Sequence, residues 1–142
     1  MWITLGEKMI YELELPFPPS VNHYKKVGRL VKTKNGKLYQ QRKNTCHTEK
    51  FYFDTYIIHK KSMPPEWVKY ACSDTISFHV EVHLYPPNTS RYDIDNNLKV
   101  LFDGLVRAKV IHDDSQIARL YVEKCNMIEH GKVIVRIKEV EK

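Results

Sequence analysis

Five aspartates and one lysine crowd a short acidic stretch of an otherwise basic chain: Asp93, Asp95, Lys99 and Asp103, then Asp113 and Asp114. Carboxylates repel one another, so such a cluster calls for a compensating charge. A divalent cation with a preference for hard oxygen ligands is the commonest one. Phosphodiester hydrolysis needs an activated water, neutralised phosphoryl oxygens and a stabilised leaving alkoxide, and one or two Mg2+ ions held by carboxylates supply all three. A lysine beside them offsets charge in the transition state or positions the water. Simpler roles fit the same residues. Asp95 reads equally as a helix N-cap with Lys99 as its i+4 partner, and Asp113-Asp114 as turn formers. Asp93-x-Asp95-x-Asn97 also resembles the opening of an EF-hand loop, but Leu98 stands where that loop needs glycine and Gly104 where it needs glutamate.

The elements that must position these residues follow from periodicity. Met9–Leu15 alternates as a first strand, ended by Pro16-Phe17-Pro18-Pro19, because proline cannot donate to a sheet ladder. Ser20 and Asn22 are suited to bonding nearby backbone in a turn. Gly28–Gln41 reads as a basic hairpin around Asn35-Gly36, a pair that favours a tight type I′ turn. A helix runs from a cap at Thr45 or Thr48 to about Ser62, with Phe51, Tyr52, Tyr56 and Ile58 on its apolar side and Pro64-Pro65 beyond it. Asp74–Tyr85 is a strand with Ile76, Phe78, Val80, Val82 and Leu84 on one face. A helix over Asp95–Ala108 buries Leu98, Leu101, Phe102 and Leu105 and carries Asp95, Lys99 and Asp103 along another face. Asp93 precedes it, where the helix dipole favours negative charge. Two strands close the chain, Ala118–Asn126 and Lys132–Val140, joined through Glu129-His130-Gly131. This order predicts an α+β fold with a mixed β-sheet covered by helices, as a single domain spanning residues 1–142. Whether Asp113-Asp114 return to the start of the acidic helix or stay at its far end is open at this level.

Charge placement says more than the net +6. Leu15–Thr48 holds no acidic residue but eight basic ones: Lys25, Lys26, Arg29, Lys32, Lys34, Lys37, Arg42 and Lys43. The rest of the chain is slightly acidic, so the positive potential belongs to one segment. Such a segment neutralises phosphates and makes binding salt-dependent, unless it is only a solvated loop. Tyr24 and Tyr39 lie within it, where they either stack on bases or pack at a core edge. No apolar run approaches the ~18 residues of a membrane span, and the N-terminus lacks the pattern of a signal peptide. The chain is accordingly expected in the cytoplasm and away from membranes. Cys46, Cys72 and Cys125 form no C-x-x-C pair, which argues for reduced thiols rather than a zinc site or disulfides. His79, Glu81 and His83 share one strand face and have metal-binding side chains, but a solvated face accounts for them without a ligand.

Three blocks in order make the chain resemble the RusA family of Holliday junction resolvases. Leu15-Pro16-Phe17-Pro18-Pro19-Ser20-Val21-Asn22-His23-Tyr24 is similar to the family's Pro-Pro-Ser-x-Asn-x-x-Tyr. Arg91-Tyr92-Asp93-Ile94-Asp95-Asn96-Asn97-Leu98-Lys99 is similar to its Asp-x-Asp-Asn-x-x-Lys, continuing to Asp103. Val110-Ile111-His112-Asp113-Asp114-Ser115-Gln116-Ile117 is similar to its Asp-Asp-x-Gln-[IV]. The resemblance implies a homodimer that binds four-way junction DNA and nicks two strands symmetrically with Mg2+ or Mn2+. It implies Asp93, Asp95 and Asp114 as metal ligands, Lys99 as catalytic lysine, and Asp103 and Asp113 as acidic neighbours of the site. The basic residues above and Arg91 would contact DNA. The chain departs from the family in a longer, more basic hairpin and in residues ahead of its first strand. The expected function is a Mg2+-dependent endodeoxyribonuclease that resolves Holliday junctions in recombination and repair. The alternatives are a nuclease for flaps and forks and a DNA-binding module without catalysis.

Overall fold

The computed structural model describes residues 2–5, 8–20 and 25–140. Val21, Asn22, His23 and Tyr24, and with them the expected Asn22 turn and Tyr24 stacking, lie outside the described residues. Strands β1 (Trp2–Leu5), β2 (Lys8–Leu15), β5 (Phe78–Tyr85), β6 (Ile117–Lys124) and β7 (Lys132–Glu139) form one sheet in the order β1-β2-β7-β5-β6. Only β5 and β6 run parallel; the other neighbours are antiparallel, so the sheet is mixed as expected. β1, in the stretch ahead of the expected first strand, adds an edge whose Trp2 lies opposite Tyr11. Strands β3 (Lys25–Lys32) and β4 (Leu38–Asn44) make a separate two-stranded hairpin, wider than the expected Gly28–Gln41.

One face of the sheet carries the core. Tyr11, Leu13 and Leu15 of β2, Phe78, Val80, Val82 and Leu84 of β5, and Val133, Val135 and Ile137 of β7 are fully or almost fully buried there. The alternation is the strand period of two that the sequence displays. Helices α1 (Cys46–Ser62) and α3 (Leu98–Arg107), with the short α2 (Val68–Ala71) after a 3-10 turn at Pro65–Trp67, complete the apolar cluster. Thr45 caps α1 by accepting from the Thr48 amide. The buried stripe of α1 is Phe51, Tyr52, Thr55 and His59, whereas Tyr56 is exposed and Ile58 half-buried. The stripe thus lies to one side of the expected one, because Thr55 satisfies its hydroxyl on the Phe51 carbonyl and tolerates burial. Gly104 lets α1 and α3 approach closely: a Cβ there would stand 2.9 Å from Phe51 Cε2.

Three details differ from expectation. The hairpin loop places only Gly36, not Asn35, at positive φ (83°), and the Gly36 amide bonds Thr33 O at 3.0 Å. That is a type I turn followed by a left-handed glycine, not type I′. β5 starts at Phe78 rather than Asp74, because the carbonyls of Ser73 and Ile76 accept from the Gln116 side chain. The acidic helix begins at Leu98, since Ile94–Asn96 forms a 3-10 turn. Among the described residues, no helix is long and apolar enough to cross a membrane.

The buried His59 ring hydrogen-bonds the Tyr11 hydroxyl through Nδ1 at 2.8 Å. Burial holds its pKa below the usual imidazole value, against a smaller upward pull from the Lys109 backbone. A lowered folded-state pKa means that the unfolded chain binds the proton first. The stability contributed by neutral His59 is therefore complete above the ordinary imidazole pKa and is lost as pH falls through and below it. The urea midpoint should drop between about pH 7 and about pH 5, and His59→Gln should flatten that drop. In the same assay at neutral pH, Gly104→Ala should cost about 1–3 kcal/mol, the scale of overpacking against a rigid ring.

Candidate active site

The acidic helix and the loop after it are brought together. Lys99 and Asp103 of α3, Val106 and Arg107 one turn on, and Asp113 and Asp114 line a single open hollow of about 350 Å³. The short connection therefore folds Asp113-Asp114 back onto the acidic face of α3. Lys99 Nζ sits 3.2 Å from Asp103 Oδ1. This is an i,i+4 pair with the lysine half exposed, a geometry worth only about 0.3–0.5 kcal/mol. Asp93 and Asp95 are exposed just ahead of α3 and are not among the residues lining this hollow. The expected face of Asp95, Lys99 and Asp103 is broken because Asp95 belongs to a 3-10 turn, whose residues advance by about 120° rather than the α-helical 100°. Asn97, not Asp95, is the N-cap position of α3.

The two aspartates of the third block differ in surroundings. Asp113 caps the 3-10 turn Asp114–Gln116: its carboxylate accepts from the Ser115 hydroxyl and from the Ser115 amide. Those two donors hold its pKa below the usual carboxylate range. Of the pair read from sequence as capping or turning the loop, Asp113 is the cap. Asp114, half-buried, enters the same hollow from the first position of that turn.

Three side chains that the sequence patterns leave without a role hold these segments in place. Gln116, buried, accepts at Oε1 from the amides of His112 (3.1 Å) and Asp113 (2.9 Å) and donates through Nε2 to Ser73 O (2.8 Å) and Ile76 O (2.9 Å). Its carboxamide fastens the aspartate loop to the chain ahead of β5. The indole of Trp67 donates to Val110 O at 2.8 Å, fixing the same loop from its other end. Asn97, 3% exposed, donates to Pro18 O at 2.7 Å and so ties the proline block to the start of α3. Tyr92 packs edge-on against Phe17, 5.8 Å between ring centres. Lys124 lies over the Tyr92 ring and donates to its carbonyl at 2.5 Å, immediately before Asp93. Gln116 and Asn97 sit inside the quoted motifs and are findable there; nothing in the sequence marks Lys124.

Beside this region runs a larger open groove of about 710 Å³, lined by Pro16–Ser20, Tyr92, Asn97, Arg91, His47 and Lys50 among others. Arg91 is thus at the groove, next in sequence to the acidic segment. Lys32, Lys34 and Lys37 are exposed at the hairpin tip. Lys25, Lys26, Arg29, Arg42 and Lys43 are placed only by their backbones, on β3 and β4.

The profile of the family described as Endodeoxyribonuclease RusA matches residues 16–138, the span that contains all of these contacts. The chain belongs to this RusA family. Proteins named Crossover junction endodeoxyribonuclease RusA are similar along nearly their whole length. The one from Aquifex aeolicus (strain VF5) is 28% identical over 136 residues, covering 94% of this chain and 93% of that protein. The one from Escherichia coli (strain K12) is 28% identical over 132 residues, covering 92% and 95%. The one from Enterobacteria phage 82 is 29% identical over 132 residues, with the same coverage. The chain is thereby placed in a family of nucleases that hydrolyse phosphodiester bonds.

In this RusA member Gln116 is a positioning residue. Gln116→Ala strands two amides and two carbonyls. Urea denaturation should show a loss of about 2 kcal/mol or more, given ~1–3 kcal/mol for each buried group left unpaired.

Proposed function

We propose that the chain is a divalent-metal-dependent endodeoxyribonuclease that resolves four-way DNA junctions as a homodimer in the cytoplasm. The observation that carries the reading is the convergence of Lys99, Asp103, Asp113 and Asp114 on one hollow in a member of this family. The similar bacterial and phage proteins are named for crossover junctions. A two-fold dimer suits the paired nicks, since it presents one site to each of two opposed strands.

The donor set fits a small hard cation. Every candidate ligand is a carboxylate oxygen; Asp114 lines the hollow, while Asp93 and Asp95 stand exposed just ahead of α3. Asp93, Asp95 and Asp114 are the proposed ligands, with Mg2+ as the expected metal and Mn2+ as a substitute. When bound, the metal supplies Lewis-acid polarisation of the phosphoryl oxygen and an acidified water. Lys99 offsets the charge gathering on the non-bridging oxygens, and Asp103 holds its ammonium on the face of α3 until the phosphate takes over. Asp113 keeps its cap and so fixes the backbone of Asp114. The basic hairpin and Arg91 grip the phosphate backbone, recognising the junction by shape and not by base edges.

A labelled four-way junction, a flap and a linear duplex of matched sequence provide the test. Symmetric nicks confined to the junction, present in Mg2+ and absent in chelator, are expected; equal cutting of flaps would point to a general branched-DNA nuclease, and binding without any cut in Mg2+ or Mn2+ to a binding module. Asp95→Asn and Lys99→Ala should each slow cleavage about a hundredfold or more while leaving junction affinity within a few-fold. Replacing Lys32, Lys34 and Lys37 together by Gln should instead weaken binding and reduce the slope of log K against log salt by roughly 0.9 for each phosphate that is no longer neutralised.

A further inference from the structure

A second cluster of metal-binding groups lies on the other face of the sheet. His83 on β5 is directly opposite Glu123 on β6. Cys125 follows two residues after Glu123, its amide bonded to Leu84 O at 2.7 Å. Because β5 and β6 are parallel and side chains alternate along each, His83 and Glu123 point to the same side, away from the helices, and Cys125, just past the end of β6, brings its sulfur to the same cluster. Their ligand atoms all lie within 4.8 Å of one another, and they are the one such trio of His, Cys, Asp or Glu among the described residues. His83 Nδ1 is 3.4 Å from Glu123 Oε2 and 3.9 Å from Cys125 Sγ.

These separations are close to the edges of a tetrahedron around one ion. Zinc bond lengths of about 2.0 Å to nitrogen, 2.1 Å to oxygen and 2.3 Å to sulfur give edges of about 3.3 Å for N–O and about 3.5 Å for N–S. The nitrogen-to-oxygen separation already matches its edge, and the nitrogen-to-sulfur separation exceeds its edge by about 0.4 Å on that arithmetic. The far nitrogen of the same ring points the same way. His83 Nε2 is buried without a hydrogen-bond partner, yet Glu81 Oε2 stands 3.8 Å from it. A liganded Nδ1 fixes the proton on Nε2, and a carboxylate behind that proton is the usual support of a metal-bound imidazole. Glu81 is steadied in turn by Arg136 at 3.9 Å.

We propose that His83 Nδ1, Glu123 and Cys125 Sγ bind one divalent ion of the zinc class, with a water in the fourth position and Glu81 orienting the imidazole. Binding releases the Cys125 thiol proton to solvent and leaves the oxidation states unchanged. The mixed nitrogen, sulfur and oxygen donors select a borderline-soft ion, unlike the all-carboxylate site proposed for catalysis. The ion clasps the edge strand β6 to β5 in the stretch where Lys124, facing the other way, holds the Tyr92 carbonyl. The site is independent of the nuclease reading, and its test does not use cleavage.

Titration of metal-free protein with Co2+ reads the site directly. The expected result is a thiolate-to-cobalt charge-transfer band that saturates at one equivalent per chain, with visible bands of four-coordinate intensity, reversed by Zn2+ and untouched by excess Mg2+. Cys125→Ser should abolish the charge-transfer band with the circular dichroism unchanged. Glu81→Gln should weaken Co2+ affinity about tenfold. Replacing the exposed Cys46 and Cys72 by Ser should leave the band intact. Zn2+ should also raise Tm with concentration in the parent and not in Cys125→Ser. Absence of the band at millimolar Co2+, its survival in Cys125→Ser, or its loss in the Cys46 and Cys72 variant would each overturn the proposal.

Discussion

The carboxamide of Gln116 holds the acidic face together. The loop that carries Asp113 and Asp114 leaves α3 through a left-handed residue, Lys109, at φ 66°, and its backbone has no ladder to join. Gln116 meets that need with one group. It satisfies two amides of the loop and two carbonyls of the segment before β5 at once. Four bonds to one planar amide admit few geometries, and each would be expensive to leave unmade at this depth. Trp67 grips the same loop from behind. Asn97 does the equivalent work at the start of α3, bonding a carbonyl seventy-nine residues away. The segments flanking the hollow are thereby joined to rigid parts of the fold, which lets exposed aspartates keep a defined arrangement.

Charge is segregated for a physical reason. The aspartates repel phosphate, and the eight basic residues from Lys25 to Lys43 attract it. A single patch carrying both would neutralise itself through internal ion pairs. Separation keeps the hairpin's field available for docking and leaves the carboxylates in need of a cation. In the proposed enzyme the two functions are then affected differently by the medium. Added monovalent salt weakens the hairpin's grip by counterion competition, whereas removing the divalent ion leaves docking and withdraws the means of neutralising phosphate beside Asp114.

Much of this is legible in the sequence, and the departures have identifiable causes. Alternation along β2, β5 and β7 and the prolines that end elements are local patterns, and they read correctly. The α+β class and the mixed sheet follow from them. A continuous helix through Asp95 is the natural reading because a 3-10 turn and the first turn of an α-helix have the same composition. The early start expected for β5 fails because the carbonyls of Ser73 and Ile76 are claimed by Gln116, forty residues on. The stripe of α1 is displaced because Thr55 and His59 are polar by type yet buried by virtue of partners supplied by Phe51 and Tyr11. The shifts of β5 and α1 come from long-range or side-chain hydrogen bonds, which have no periodic trace.

The edge strand β6 shows how one element serves two faces. Successive residues of a strand point to opposite sides, so Lys124 reaches toward Tyr92 while Glu123 and Cys125 face His83 across the sheet. Among the described residues β6 pairs on one side only, with β5. An edge strand is held by half as many ladder bonds as a central one, so side-chain ties count for more in fixing it. The Lys124 contact depends on that fixing, because its ammonium must meet a single carbonyl from a long flexible stem. Any tie that tightens β6 on the open face therefore narrows the freedom of Tyr92, and with it the backbone of Asp93, without a direct contact between them.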